Sequence, residues 1–406
     1  MSDKQSSDTK PSPAKLRMVS NERGSVLALV ALLLVVFLGL AALAIDFGLL
    51  YVARGEAQRA ADASAHAGAG YFMHNPNATE AEIKAEAVRV GERNLVRGEW
   101  TEIRPDEDID VLWDERKVRV QVRRTNERGN PVATLLAHVI GFGNMNVAAS
   151  AAAQIWPADV TECVLPFAIP DRWCLSGADG ARCPDDYSDG LNPSQGWEEG
   201  HWYRPWSNPL TINGSDYWTG YSDEQFGNAL NIRPSRPQDA LQPGWFFPFR
   251  IPGHQGASDY RKAIDDCVTG DRAWGVGDVV YTENGRMEGP TQQGFEGGGG
   301  VQGLLTRYPD ARWDTSCDQG VGCAVGNPDH IAGRTRPVAL FDPSNPPEIG
   351  NNPFEIVGFA AVFVEGADDD GNIIVYFDQL TGTNPAASPP AAGGPMPQVK
   401  ILRIVE

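Results

Sequence analysis

From Gly24 to Ile45 the chain reads GSVLALVALLLVVFLGLAALAI, twenty-two residues without a charge between Arg23 and Asp46. A helix rises about 1.5 Å per residue and a bilayer core is about 30 Å thick, so this run predicts one membrane-spanning helix. No proline interrupts it, and a continuous helix satisfies its own backbone in lipid. The helical pattern then continues. Phe47, Leu50, Val52 and Ala53 lead into Ala57, Ala60, Ala61, Ser64, Ala65 and Gly68, spaced by three and four, and the first proline after the span is Pro76. Residues 24–72 should therefore form one rod of roughly 70 Å, a span followed by an Ala-rich extension. Residues 1–23, rich in Ser, Lys and Pro, have little to bury and read as a disordered tail.

Residues 73–157 carry a different pattern. Within 78–97, Thr79 followed by Glu82 is a capping box, and Ile83, Ala87, Val90 and Leu95 make an apolar stripe, which predicts a helix. Alternation at Val111 and Trp113, then at Val118, Val120 and Val122, predicts an antiparallel hairpin turning near residues 114–116. Residues 132–142 read as another helix and 146–155 as a small-residue strand. The expectation is a small α+β domain.

Residues 158–406 lose the helical period. Short apolar runs at 279–281, 338–341, 354–364, 373–377 and 399–405 are separated by Gly- and Pro-containing turns, which predicts a β-rich, loop-heavy domain. Residues 297–300, four glycines, read as a flexible interruption. Residues 382–397 read as an excursion before a final strand returns to a sheet. The fold class is thus α+β: a long transmembrane helix, a small α+β domain, then a β-rich, disulfide-stapled domain.

Charge orients this arrangement. Lys4, Lys10, Lys15, Arg17 and Arg23 precede the span, whereas only Arg54 and Arg59 follow it closely, so the N-terminus is expected in the cytoplasm and the bulk outside. Ala42-Leu43-Ala44 has the form a signal peptidase accepts. The apolar run exceeds a usual signal core, however, and a chain starting at Ile45 would begin on an unusually apolar segment, so a retained anchor is the preferred reading. Net charge is −19, and residues 1–45 carry +2, leaving the remainder at −21. An acidic exterior excludes a nucleic-acid partner. All six cysteines lie beyond the span, which fits an oxidising compartment. Six cysteines allow fifteen pairings; spacing favours Cys317–Cys323, with Cys174–Cys183 and Cys163–Cys267 as the remaining choice.

Candidate chemistry is sparse. Trp197, Trp202, Tyr203, Trp206 and Trp218, with Tyr217 and Tyr221 nearby, could stack on a glycan or simply fill a core. Asp368, Asp370 and Asn372 resemble a calcium loop, but Gln379 holds the twelfth position where a carboxylate is required, so a hairpin turn is expected. No metal site, cofactor or nucleophile motif is found, and the chain does not read as an enzyme. Asp46, at the end of the span, is weighed between an interfacial residue and a polar contact to a second helix. Gly39, Ala44, Gly48, Ala57 and Ala61 are small enough to let a partner helix approach, or to pack on the chain's own domain.

One resemblance adds to this. A long apolar run ending in AALAIDFGLLYVARGEAQRAADASAHAGA, followed by a small α+β unit, resembles the N-terminal region of TadE/TadG-like proteins of tight-adherence (Flp) pilus assembly, over residues 22–157 and chiefly 22–72. The resemblance implies an inner-membrane protein with a periplasmic body, acting beside the pilus secretion machinery or in adhesion. Relatives processed by a prepilin peptidase carry Glu five residues after the cleavage glycine. Counted from Gly24 that position is Leu29, which fits a retained anchor. The Asp-x-Ser-x-Ser metal motif of relatives with a von Willebrand-type domain is not found. The leading expectation is a membrane-anchored structural or assembly component with protein partners. The alternative is a periplasmic glycan- or ligand-binding module using the Trp-rich region; a tethered hydrolase has least support.

Overall fold

The structure, a computed structural model, describes residues 22–171, 210–212, 215–217, 221, 225–234, 241, 244–267, 273–317, 320–343, 345–347, 353–367, 372–385 and 398–405. The chain divides into two units, Met1–Gly55 with Arg124–Val147 and Glu56–Arg123 with Ala148–Glu406.

The first unit holds most of helix α1 (Glu22–His74), whose 53 residues make it roughly 80 Å long. It also holds a short hairpin in which Val132 pairs with Met145 and Ala133 with Asn144. Residues 132–142 are therefore not the helix their apolar spacing suggests. Between the two strands lies only a single 3-10 turn, Ala137–Ile140, closed by Gly141 at φ 96°. A run this short cannot offset helix nucleation alone, and here the backbone has other partners. Thr134 N donates to Gly143 O at 3.1 Å, Phe142 N donates to Ala137 O at 3.0 Å, and the Thr134 hydroxyl donates to Phe142 O. The hairpin's base is tied by Asn side chains: Asn130 Oδ1 accepts from Thr125 N, and Asn146 Oδ1 accepts from Asn126 N.

In the second unit the lower half of α1 meets helix α2 (Glu80–Gly91), which starts from the capping box read in the sequence. Ser64 Oγ donates to Ala87 O at 2.7 Å. A methyl group at Gly68 would lie 3.1 Å from both Ala87 Cβ and Val118 Cγ1, and one at Gly91 only 2.3 Å from Ile103 Cδ1. Small residues here let two helices and a strand approach without a gap. The strands are β1 (Ile109–Leu112) and β2 (Lys117–Arg124), the expected hairpin, and β3 (Val147–Thr161).

β3 crosses the boundary expected at 157/158. Barrel strands β4 (Leu165–Pro170), β5 (Ala229–Pro234) and β6 (Trp245–Pro248) follow it. Helices α3 (Ala257–Asp266) and α4 (Glu288–Glu296) come next, then β7 (Thr335–Phe341), β8 (Gly358–Ala367) and β9 (Ile373–Phe377). The chain then forms β10 (Leu380–Thr381) and β11 (Val399–Ile404). β11 returns to a sheet as expected, but to the sheet begun before residue 157: the order is β10-β11-β3-β2-β1, with Ile401 opposite Trp156. Residues 73–157 and 158–406 are joined through that sheet and are not separate domains. The four glycines at 297–300 are likewise no loose interruption. Gly298 and Val301 exchange backbone hydrogen bonds of 3.1 and 3.2 Å in a tight turn after α4.

Among the described residues, six strands close a barrel in the order β5-β6-β4-β7-β8-β9 and back to β5. One face of each strand supplies a common interior: Ile232, Phe246, Phe167, Val338, Val362 and Val375. Tyr260 and Ile264 of α3 and Phe295 of α4 join the same cluster. The opposite faces of β6, β7 and β8, including Phe247, Phe341 and Phe359, pack into a second cluster with Trp274 and Phe354. Strands buried on both faces explain why 338–341 and 358–364 read as continuous apolar runs rather than alternating ones.

Asp378, just past β9, is largely enclosed; its carboxylate accepts from Thr335 Oγ1 at 3.1 Å and from Gln379 N at 2.8 Å. Burial pushes its pKa up to about 6, against those two hydrogen bonds. The folded protein holds this proton to higher pH than the unfolded chain does. Stability from the neutral form is complete below about pH 4 and is lost as pH rises through about 6. Asp378→Asn should therefore gain on the parent by about 2 kcal/mol between pH 4 and pH 7. Thermal melts at both pH values check this, and an unchanged difference would remove the buried-acid explanation.

Candidate functional site

α1 is, among the described residues, the one helix long and apolar enough to cross a membrane. Large side chains from Val26 to Ile45 are exposed around the helix, Phe37 and Leu38 among them. Small positions in this half are also open. Nothing lies within 4 Å of a methyl group built at Gly39 or Gly48, and Ala44 is exposed.

The lower half behaves oppositely. Ala57 and Ala61 are fully buried within the chain, as are Ala60, Ser64 and Ala65. That corrects the reading of Ala57 and Ala61 as positions for a partner helix. Spacing by three and four announces a close neighbour, and here the protein's own body takes the face.

Asp46 makes contacts that neither reading of it named. It is 4% exposed, and its carboxylate is spent on backbone N–H groups of the 132–145 hairpin. Leu135 N donates to Oδ1 at 2.7 Å; Leu136 N reaches Oδ1 at 3.1 Å and Oδ2 at 3.0 Å; Ala137 N donates to Oδ2. The side chain thus acts as a cap for the 3-10 turn, satisfying donors that the turn itself leaves open. Its partners lie about ninety residues away in sequence, so no local spacing could have named them.

Cys163 and Cys267 are bonded with Cα atoms 5.2 Å apart, and Cys317 and Cys323 with Cα atoms 5.8 Å apart. Cys174 and Cys183 lie outside the described residues. So do Trp197, Trp202, Tyr203, Trp206 and Trp218, and the turn at 368–371. Tyr221, at the end of that aromatic stretch, is buried and stacks on Phe377 with ring centroids 4.7 Å apart. An open cleft of about 480 Å³ is lined by residues 250–255 and 279–281, including Arg250, His254 and Tyr281. Among the described residues, no group of His, Cys, Asp and Glu is placed to hold a metal ion.

Residues 24–70 match the protein family described as "Putative Flp pilus-assembly TadE/G-like". The match covers the apolar half of α1 and most of its Ala-rich extension, and it supports a role related to Flp pilus assembly. No curated protein and no solved structure matches the chain.

Proposed function

We propose, from the family match over residues 24–70, that the chain is a membrane-anchored structural component of a tight-adherence (Flp) pilus assembly system. α1 crosses the inner membrane with residues 1–23 in the cytoplasm and the barrel-bearing body in the periplasm. The observation that carries this reading is the change of character along one unbroken helix. Its upper half is apolar on every side, while its lower half buries a face of alanines in a folded body. A rod of that kind joins a bilayer to a body. The Lys/Arg bias before the span supports the orientation, and two disulfides support an oxidising compartment. Ala44 and Gly48, one turn apart and open, are where a helix of another assembly component would approach.

In-cell crosslinking tests the proposal. A photoreactive residue at Gly48 should capture membrane components of the pilus apparatus, and the same residue at Tyr51 should serve as a neighbouring control. A body recovered with free thiols in the cytosol, or a mature chain beginning at Ile45, would refute the anchor.

A further inference from the structure

We propose that the hairpin at residues 132–145 is a membrane-interface foot, with Leu135 and Phe142 seated in the outer boundary of the bilayer that α1 crosses. The inference rests on the membrane-anchor reading and adds a second lipid contact to it.

Height comes first. The apolar run before Asp46 is twenty-two residues long, about the thickness of a bilayer core at 1.5 Å per residue. Asp46 therefore stands at the outer edge of that core. Its carboxylate holds the amides of Leu135, Leu136 and Ala137, which fixes the hairpin's turn at the same level.

Surface chemistry comes second. Leu135 is 63% exposed and Phe142 66%, with Met145 also exposed, and none is used in a core. On the helix beside Asp46, Phe47 and Tyr51 face outward as well. Residues 129–147 contain no Asp, Glu, Lys or Arg, in a chain whose remainder past residue 45 carries −21. An acidic loop would be repelled by anionic headgroups; an uncharged one bearing Leu and Phe is not.

The backbone supplies the third argument. Irregular backbone near lipid is costly unless its polar groups are bonded. Here Asp46 takes three amides of the turn. Thr134 N donates to Gly143 O, Gly141 N to His138 O, and Phe142 N to Ala137 O, at 3.1, 3.1 and 3.0 Å. The turn leaves Leu135 and Phe142 outward with those donors already satisfied. Continuity with the lipid-facing helix selects the bilayer as occupant over a protein partner.

The test uses the full chain in phosphatidylethanolamine/phosphatidylglycerol vesicles. An environment-sensitive fluorescent amino acid is placed singly at Phe142, Leu135, Val35 or Glu127. Leu135 and Phe142 are exposed, so substitution there removes no core packing. Lipids carrying a nitroxide near the glycerol end or near the chain middle act as quenchers. The probes at Phe142 and Leu135 should emit to the blue and lose roughly half their intensity to the shallow quencher. Val35 should respond to the deep quencher, and Glu127 to neither. Water-like emission at Phe142 and Leu135 would overturn the foot, as would blue emission that neither lipid quenches, which would mean a protein covers the hairpin. An unquenched Val35 would instead remove the membrane anchor itself.

Discussion

Replacing Cys267 by serine should cost the barrel-bearing unit about 4 kcal/mol, the largest loss expected from any single change to the two described disulfides. Cys163 and Cys267 are 104 residues apart, and closing a loop of that length removes much of the unfolded chain's freedom. Between them lie β4, β5, β6 and α3, half of the barrel and one of the helices that add to its interior. Both cysteines have left-handed backbone, at φ 61° and 59°, conformations that an L residue keeps only when its surroundings demand it. Serine at 267 would let that backbone relax, so a small part of the loss is regained. Cys317 and Cys323 close a loop of six residues, and Cys323→Ser should cost about 2 kcal/mol. Denaturant titrations of the two variants, followed by tryptophan emission in detergent, give the comparison. Equal losses, or a larger one at Cys323, would mean that the long loop is already restrained in the unfolded chain.

The second large effect is local. In Asp46→Ala the amides of Leu135, Leu136 and Ala137 lose a shared acceptor at one stroke. Hydrogen bonds to a charged group are the strong ones, and three vanish together, so these amides should exchange with solvent faster by about two to three orders of magnitude. Asp46→Asn should fall between, because an NH₂ group replaces one acceptor oxygen and faces donors. Amides of the barrel, such as those of β7, should not respond. Exchange measured by mass spectrometry on peptides covering 132–145 decides this. Unchanged protection would show that the hairpin's own bonds hold it without the helix.

The long apolar helix was legible because its signal is local: twenty-two apolar residues in succession need no partner to be interpreted. The capping box at Thr79 and Glu82 and the hairpin of β1 and β2 were legible for the same reason. What failed depended on residues far away. The spacing of Leu135, Leu136, Val139 and Ile140 suits a helix, and only Asp46 and Thr134 decide for a turn. The alanine face of α1 announced a close neighbour without saying whose, and the structure assigns it to the chain itself. Short strands such as β6 could be found one by one. Barrel closure could not, since Ala229 pairs with Tyr376 across a long stretch of sequence. Nor did composition reveal that Ile401 would pair with Trp156 and erase the boundary drawn beside it.

That last pairing bears on how the molecule is made. β3 emerges from the ribosome long before β11, yet β11 is its neighbour. Until β11 is made, therefore, the sheet begun by β1, β2 and β3 waits with an open row of amides and carbonyls, a template for pairing with the wrong chain. In the anchored arrangement we propose, unfinished copies would share one membrane surface, where that open edge meets others of its kind.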